Sequence, residues 1–287
     1  MDPQQLRFID IPSPFAFRPG VIRALAPVGA TRDEILSELL DGDGDKPFVL
    51  DTGTHRALHF DLIYMQSAMR MSDPNALELP YTRYMMAFLM FNRAPRHIAM
   101  LGLGGGSLAK YCYRHLPDAA ITAVEANPQV IAFREQFLLP GDDSRFRVIC
   151  ADGLDYVKAA EHIDVLLIDA YNDVGLPPTL FAAAFFEQVR RSLAPDGIAV
   201  MNLAGSRRER GECLKMLKQV FAEQVIAIPV QDDGNHVAFA FNAENALAGL
   251  AHHANHAAEL TDSLDLPFAL ILKRMLASAR RLKDRQQ

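Results

Sequence analysis

The residues of this chain best suited to chemistry fall in four short clusters of glycine and acid. The richest is Met100-Leu-Gly-Leu-Gly-Gly-Gly-Ser107, with Gly102 and Gly104 at its turn. Glycine permits a tight turn and lets a ligand press against backbone, and a helix that begins there offers unpaired N–H groups. Glu125 follows 23 residues after Gly102, a distance at which an acid can accept hydrogen bonds from both hydroxyls of a ribose. Asp152-Gly153 and Asp169 complete the series. The glycines alone fit a dinucleotide such as NAD as well as a nucleoside, since Ser107 can be the third small residue of such a turn. No P-loop lysine or basic cluster stands beside them to hold phosphates. An S-adenosyl compound, with adenine, ribose and a positive sulfonium, suits an acid-lined pocket better.

These clusters can act together only if the fold brings them to one edge. From Pro95 the chain alternates predicted strands (HIAMLGLG, AITAVEAN, FRVICADG, IDVLLIDAY, GIAVMNLA) with predicted helices (SLAKYCYRHL, PQVIAFREQFLL, the helix around LDYVKAAE, TLFAAAFFEQVRRSL). That rhythm implies right-handed βαβ units and an α/β fold: a Rossmann-like, doubly wound, mostly parallel sheet. Each cluster then ends a strand, at the sheet edge where ligands bind in such folds. An acid there can also simply cap the next helix, so the reading rests on the whole series. After a further helix beyond Glu209, VIAIPV and HVAFAF around QDDGN read as a hairpin on the sheet edge.

Ahead of this unit, residues 1 to about 30 are rich in Pro and Gly and read as an extended lead-in. TRDEILSELLDG is a short helix with Thr31 as N-cap, Glu34 as its capping-box partner and Gly42 near its stop. Lys46 to Met71 looks like a small antiparallel β unit that turns at Thr52-Gly53, and Pro80-Tyr81 opens the apolar helix TRYMMAFLMF. The expected division is 1–94, an N-terminal segment with a small antiparallel β domain; 95–250, a Rossmann-like S-adenosyl-donor-binding domain; and 251–287, a helical basic tail.

Composition narrows the partners. The chain has 287 residues, 50% apolar and 22% charged, with a net charge of −6, the profile of a globular protein with its own core. The last fifteen residues carry six basic side chains and one acid, a net +5, which leaves −11 for the rest. A body so acidic argues against nucleic acid or a membrane surface as partner and accommodates a cationic ligand. Three cysteines without metal-ligand spacing, and a start without a basic region and apolar run, fit a cytoplasmic location. No metal site is expected. Asp41-Gly-Asp-Gly-Asp45 lacks the Gly and Glu a calcium loop needs at its sixth and twelfth positions, and His252, His253 and His256 read as a helix surface. Cys150, inside the third strand, reads as a small buried residue.

From about Leu58 to Leu203 the sequence resembles the spermidine synthases, more broadly the polyamine aminopropyltransferases, with the same order of β unit, glycine loop and acidic strand ends. The resemblance implies that Gly102 and Gly104 lie beside the donor, that Glu125 holds its ribose and that Asp152 and Gly153 meet its adenine. Gln66 falls near the family glutamine that lies along the nucleoside, with altered spacing after Asp61. Tyr81 matches the tyrosine at the head of the substrate helix, and Asp169, in IDAYNDVGLPPTLF, the catalytic aspartate. The family's glycine loop carries an acid facing the donor's amino group, where this chain has Gly105. Its helix follows Tyr with His and Glu, where Thr82 and Arg83 stand here, and its second loop Asp is Asn172, with Asp173 displaced by one. Arg83 is expected to repel a polyamine, by about 1 kcal/mol at a few ångströms in partial solvent.

The resemblance implies a transferase that moves an aminopropyl group from decarboxylated S-adenosylmethionine to a small amine acceptor. It implies no prosthetic group, and a homodimer. The departures keep two alternatives open: a methyltransferase using S-adenosylmethionine, and a nucleoside-binding protein without turnover.

Overall fold

The computed structural model describes residues 6–14, 18–41, 46–61, 65–171, 175–231 and 234–284. Gly42 to Asp45, Asn172 and Asp173 lie outside them.

An antiparallel meander comes first, in the order β1-β2-β3-β4-β5: β1 (Leu6–Pro12), β2 (Val21–Pro27), β3 (Phe48–Asp51), β4 (His55–His59) and β5 (Met65–Arg70). Residues on alternate positions face opposite sides. Ile9, Ile11, Ile22, Ala24, Phe48 and Leu50 form one apolar face, covered by α1 (Arg32–Asp41). Val49, Leu58 and Met69 form the other and pack on Val130, Phe133 and Phe137 of the following unit. That second contact sets β5 beside the glycine loop. The capping box of α1 is present: Thr31 N donates to Glu34 Oε2 at 2.8 Å and Glu34 N to Thr31 Oγ1 at 3.3 Å.

The second sheet has seven strands in the order β11-β12-β10-β9-β6-β7-β8. β6 (His97–Leu101), β7 (Ala120–Glu125), β8 (Phe146–Cys150), β9 (Ile163–Ile168) and β10 (Leu193–Leu203) run parallel, and the hairpin of β11 (Val225–Pro229) and β12 (His236–Phe241) joins β10 antiparallel. One face carries α2 (Pro80–Met85), α3 (Ser107–His115), α8 (Ala254–Leu264) and α9 (Phe268–Asp284). The other carries α5 (Gly153–Ala159), α6 (Ala183–Ser192) and α7 (Arg207–Val220). With both faces covered, the central strands are continuous apolar runs such as Val165 to Ile168. Strand order reverses between β6 and β9, which opens a crevice at their carboxyl ends. On the exposed side of β11, α9 supplies the missing partners: Arg274 Nη1 donates to Pro229 O at 2.8 Å and Ser278 Oγ to Ala227 O at 3.2 Å.

Three segments differ from their sequence reading. The lead-in is a paired hairpin, Leu6↔Pro27 to Pro12↔Val21, because its alternate apolar residues are buried and its prolines sit at strand ends. PQVIAFREQFLL is helical only as α4 (Pro128–Ala132). Beyond it, burial of Phe133 and Phe137 under the first sheet outweighs helix continuation, and Leu138 adopts φ 55°. The apolar TRYMMAFLMF tightens after α2 into 3-10 turns over Met86–Met90, buried on every side.

Candidate active site

At the crevice, β6 runs into the glycine loop and β9 into Asp169. Gly102 N donates to Val124 O at 2.8 Å and Asp169 N to Leu101 O at 2.9 Å, which continues the sheet into the site. Gly102 has φ 90°, and a Cβ there would lie 2.1 Å from Asp169 O, so only glycine allows the two backbones this approach. Gly104 is turned toward Ser67 of β5, 3.6 Å from where its Cβ would be.

Glu125 ends β7 and is tied to the loop. Its Oε2 accepts from Leu103 N at 3.0 Å and its Oε1 from Asn127 N at 2.9 Å. Each carboxylate oxygen can still accept a second bond. Asp152 caps α5, its Oδ1 accepting from Leu154 N at 2.8 Å and Asp155 N at 3.1 Å, with Gly153 as the first helical residue. Asp152 therefore performs the capping task that sequence reasoning weighed against a ligand role, at the edge a ligand would use, whereas α4 is capped by Asn127 and Glu125 braces that cap and the glycine loop. Gln66 is the extra residue of a β-bulge, since Leu58 faces Ser67 while His59 faces Met65. A bulge adds one unpaired residue to its strand and bends it locally.

Asp169 is held on both oxygens. Tyr81, buried at the head of α2, donates its OH to Oδ2 at 2.8 Å, and Asn202 Nδ2 donates to Oδ1 at 2.9 Å. The amide orientation of Asn202 follows, because a carboxylate can only accept. Asn202 Oδ1 is then buried and has no hydrogen-bond partner among the described residues. Tyr171 braces the same corner, its OH donating to Asn202 O at 2.8 Å and accepting from Ala204 N at 2.9 Å. Burial pushes the Tyr171 phenol well above its ordinary pKa, so it stays a neutral brace. Neither residue was singled out from sequence. The available signal was position: Asn202 precedes the last residue of β10, at the same carboxyl edge as the four clusters.

A strand-end glycine loop, three acids on that edge and a Tyr–Asp pair are thus assembled at one crevice. The sequence model of the spermine/spermidine synthase domain matches residues 78–231, which contain all of these groups. This chain belongs to the spermine/spermidine synthase family. It is 36% identical to a polyamine aminopropyltransferase of Chromobacterium violaceum over 229 residues, 79% of this chain and 88% of that one. The fold is similar to a probable spermidine synthase of Corynebacterium glutamicum, with a TM-score of 0.61 and 20% identity over 74% of this chain and 84% of that one. It is also similar to human methyltransferase-like protein 13, solved in complex with SAH, with a TM-score of 0.55 and 25% identity over 69% and 92%.

The departures from the family pattern acquire physical causes. A Cβ at Gly105 would lie 2.7 Å from Ser67 Oγ and 2.9 Å from Phe137 Cδ1, so packing against the first sheet leaves no room there for an acid. Arg83 is held by backbone. Its Nε donates to Leu77 O at 2.6 Å and its Nη2 to Glu78 O at 3.4 Å, so it ties the segment before α2. Thr82 likewise turns to Leu79 O, at 2.6 Å.

Cys150 corrects another expectation: it is exposed, at the end of β8 opposite Glu125 in register. Cys112 and Cys213 are buried, and burial raises both thiol pKa values, that of Cys213 to about 12. A native-state titration with an aromatic disulfide reagent is expected to modify one thiol rapidly, and Cys150→Ser to remove that phase. Rapid reaction of two or more thiols would contradict the burial of the other pair.

Proposed function

We propose that this chain transfers an aminopropyl group from decarboxylated S-adenosylmethionine to a small amine acceptor. The observation that carries the reading is Asp169, held between Tyr81 and Asn202 beside the glycine loop. A neutral amine attacks the aminopropyl carbon next to the sulfonium. The C–N bond forms as the C–S bond breaks, the electron pair goes to sulfur, and methylthioadenosine leaves as a neutral thioether. Asp169 takes the proton from the amine, Tyr81 holds the carboxylate in line, and Asn202 Oδ1 accepts a second amine N–H. Gly102 and Gly104 border the donor, Glu125 receives its ribose hydroxyls, Asp152 and Gly153 meet the adenine, and Gln66 lies along the nucleoside. These roles rest on the family pattern carried onto residues of the glycine loop, the strand ends and β5.

No prosthetic group or metal is part of the proposal. No helix among the described residues is long and apolar enough to cross a membrane. We place the protein in the cytoplasm as a homodimer, without nucleic-acid or membrane partners. Within it, 1–94 carries the small β domain, 95–250 the donor site and 251–287 the basic helical tail.

One observation favours methyl transfer as a second reading. Gly105 stands where the family has its acid, and Ser67 and Phe137 exclude a side chain there. A donor that keeps its own carboxylate, S-adenosylmethionine, then meets no opposing acid. Calorimetry with the two sulfonium donors and methylthioadenosine, followed by mass analysis of a diamine acceptor, separates the readings. Tighter binding of the decarboxylated donor by tenfold or so, worth about 1.4 kcal/mol, and an aminopropyl adduct are expected. Preference for S-adenosylmethionine with a methyl adduct supports the second reading, and binding of neither sulfonium donor sinks both.

A further inference from the structure

A second concavity lies away from the crevice, on the far side of α3. It has a volume of about 390 Å³, within the range of small-molecule sites, and is lined by Asn75, Lys110, Tyr113, Arg114, Leu138 and Pro140. Its lining holds two cations and no acid. Lys110 is only 3% exposed, yet its ammonium meets no carboxylate among the described residues: Nζ donates to Phe137 O at 2.7 Å and to the weak acceptor Met69 Sδ at 3.0 Å. A buried cation without a counter-charge is costly, and here burial lowers its pKa to about 8. Arg114, one turn further along α3, has neither an ion-pair nor a hydrogen-bond partner among the described residues. Two of the nearby acids are engaged elsewhere. Asp143 accepts from Tyr113 OH at 2.7 Å and from two backbone N–H groups, and Asp142 pairs with Arg134 at 2.8 Å.

The opposite wall is apolar and conformationally strained. Leu138 takes φ 55° and is 50% exposed, a conformation that a leucine rarely adopts, and Pro140 stands close behind it. We infer that this groove binds a small organic oxyanion, its carboxylate or phosphate head on Lys110 and Arg114 and its apolar body against Leu138 and Pro140. Asn75 offers a neutral donor beside them. The site sits behind the glycine loop, since the Phe137 carbonyl that holds Lys110 belongs to the residue whose ring packs on Gly105.

The test is calorimetric titration of the full chain with inorganic phosphate in one arm and hexanoate in the other, against sodium chloride at matched ionic strength. Saturable binding in at least one arm is expected. Arg114→Ala, an exposed change, should weaken it about tenfold, the worth of one charge-assisted hydrogen bond. Lys110→Met, which keeps the buried stem, should abolish it. The arm that saturates identifies the head group. Absence of saturation in the millimolar range in both arms, an equal response to chloride, or wild-type affinity in folded Arg114→Ala overturns the inference.

Discussion

Asp169→Asn is expected to lower kcat by about 10³-fold while methylthioadenosine affinity stays within about twofold. The substitution keeps the shape of the side chain and removes its ability to take a proton. It also forces a rearrangement that can be followed. Asp169 accepts from both Tyr81 OH and Asn202 Nδ2, and an amide can accept on one side only. With Tyr81 kept as donor, the NH2 of the introduced amide faces Asn202, whose own amide must flip to offer Oδ1. That flip is available because Oδ1 has no partner among the described residues. The variant should therefore fold with nearly native stability and present an N–H where the acceptor needs an oxygen, so the loss falls on kcat and on acceptor KM, not on the nucleoside. Single-turnover analysis with a diamine and calorimetry with methylthioadenosine measure the two halves. Full turnover would remove Asp169 from proton transfer, and loss of nucleoside binding would show that it holds the donor.

Much of this corner was legible in the sequence, because strand-end residues announce themselves. A buried parallel strand is a continuous apolar run, so IDVLLI fixes where Asp169 must emerge, and HIAML does the same for Gly102. The same reasoning reached Glu125 and Asp152. It stopped at Asn202, whose strand GIAVMNL ends without glycine or acid, and at Tyr171, whose phenol acts through a backbone carbonyl of another strand. It did not reach the partners of Arg83, whose side chain, two residues from Tyr81 on a helix, points to another side and donates to the Leu77 and Glu78 carbonyls. Gly105 was recognised as a missing acid, but its cause is tertiary. Ser67 and Phe137 come from segments 38 and 32 residues away in the chain, and no local pattern reports that contact.

Gly102→Ala is expected to damage both stability and turnover, and a second glycine makes the result diagnostic. At Gly102 the added methyl meets a main-chain oxygen, that of Asp169, at 2.1 Å, at a φ of 90°. Backbone has no rotamer with which to retreat, so β6 and β9 must separate at their carboxyl ends. Overpacking and the unfavourable φ together cost roughly 2–5 kcal/mol. For a domain of this size that corresponds to a fall in Tm of about 5–15 °C. Surviving protein should show a kcat lower by about 10²-fold, since Asp169 is displaced by the order of an ångström from Tyr81 and Asn202. At Gly153 the added methyl would meet Leu101 Cδ1 at an ordinary 3.4 Å with no positive φ, in the first turn of α5. Gly153→Ala should therefore leave Tm within about 2 °C. Equal tolerance at both positions, by calorimetric melting, would mean that the close approach of Gly102 to Asp169 does not hold the crevice together.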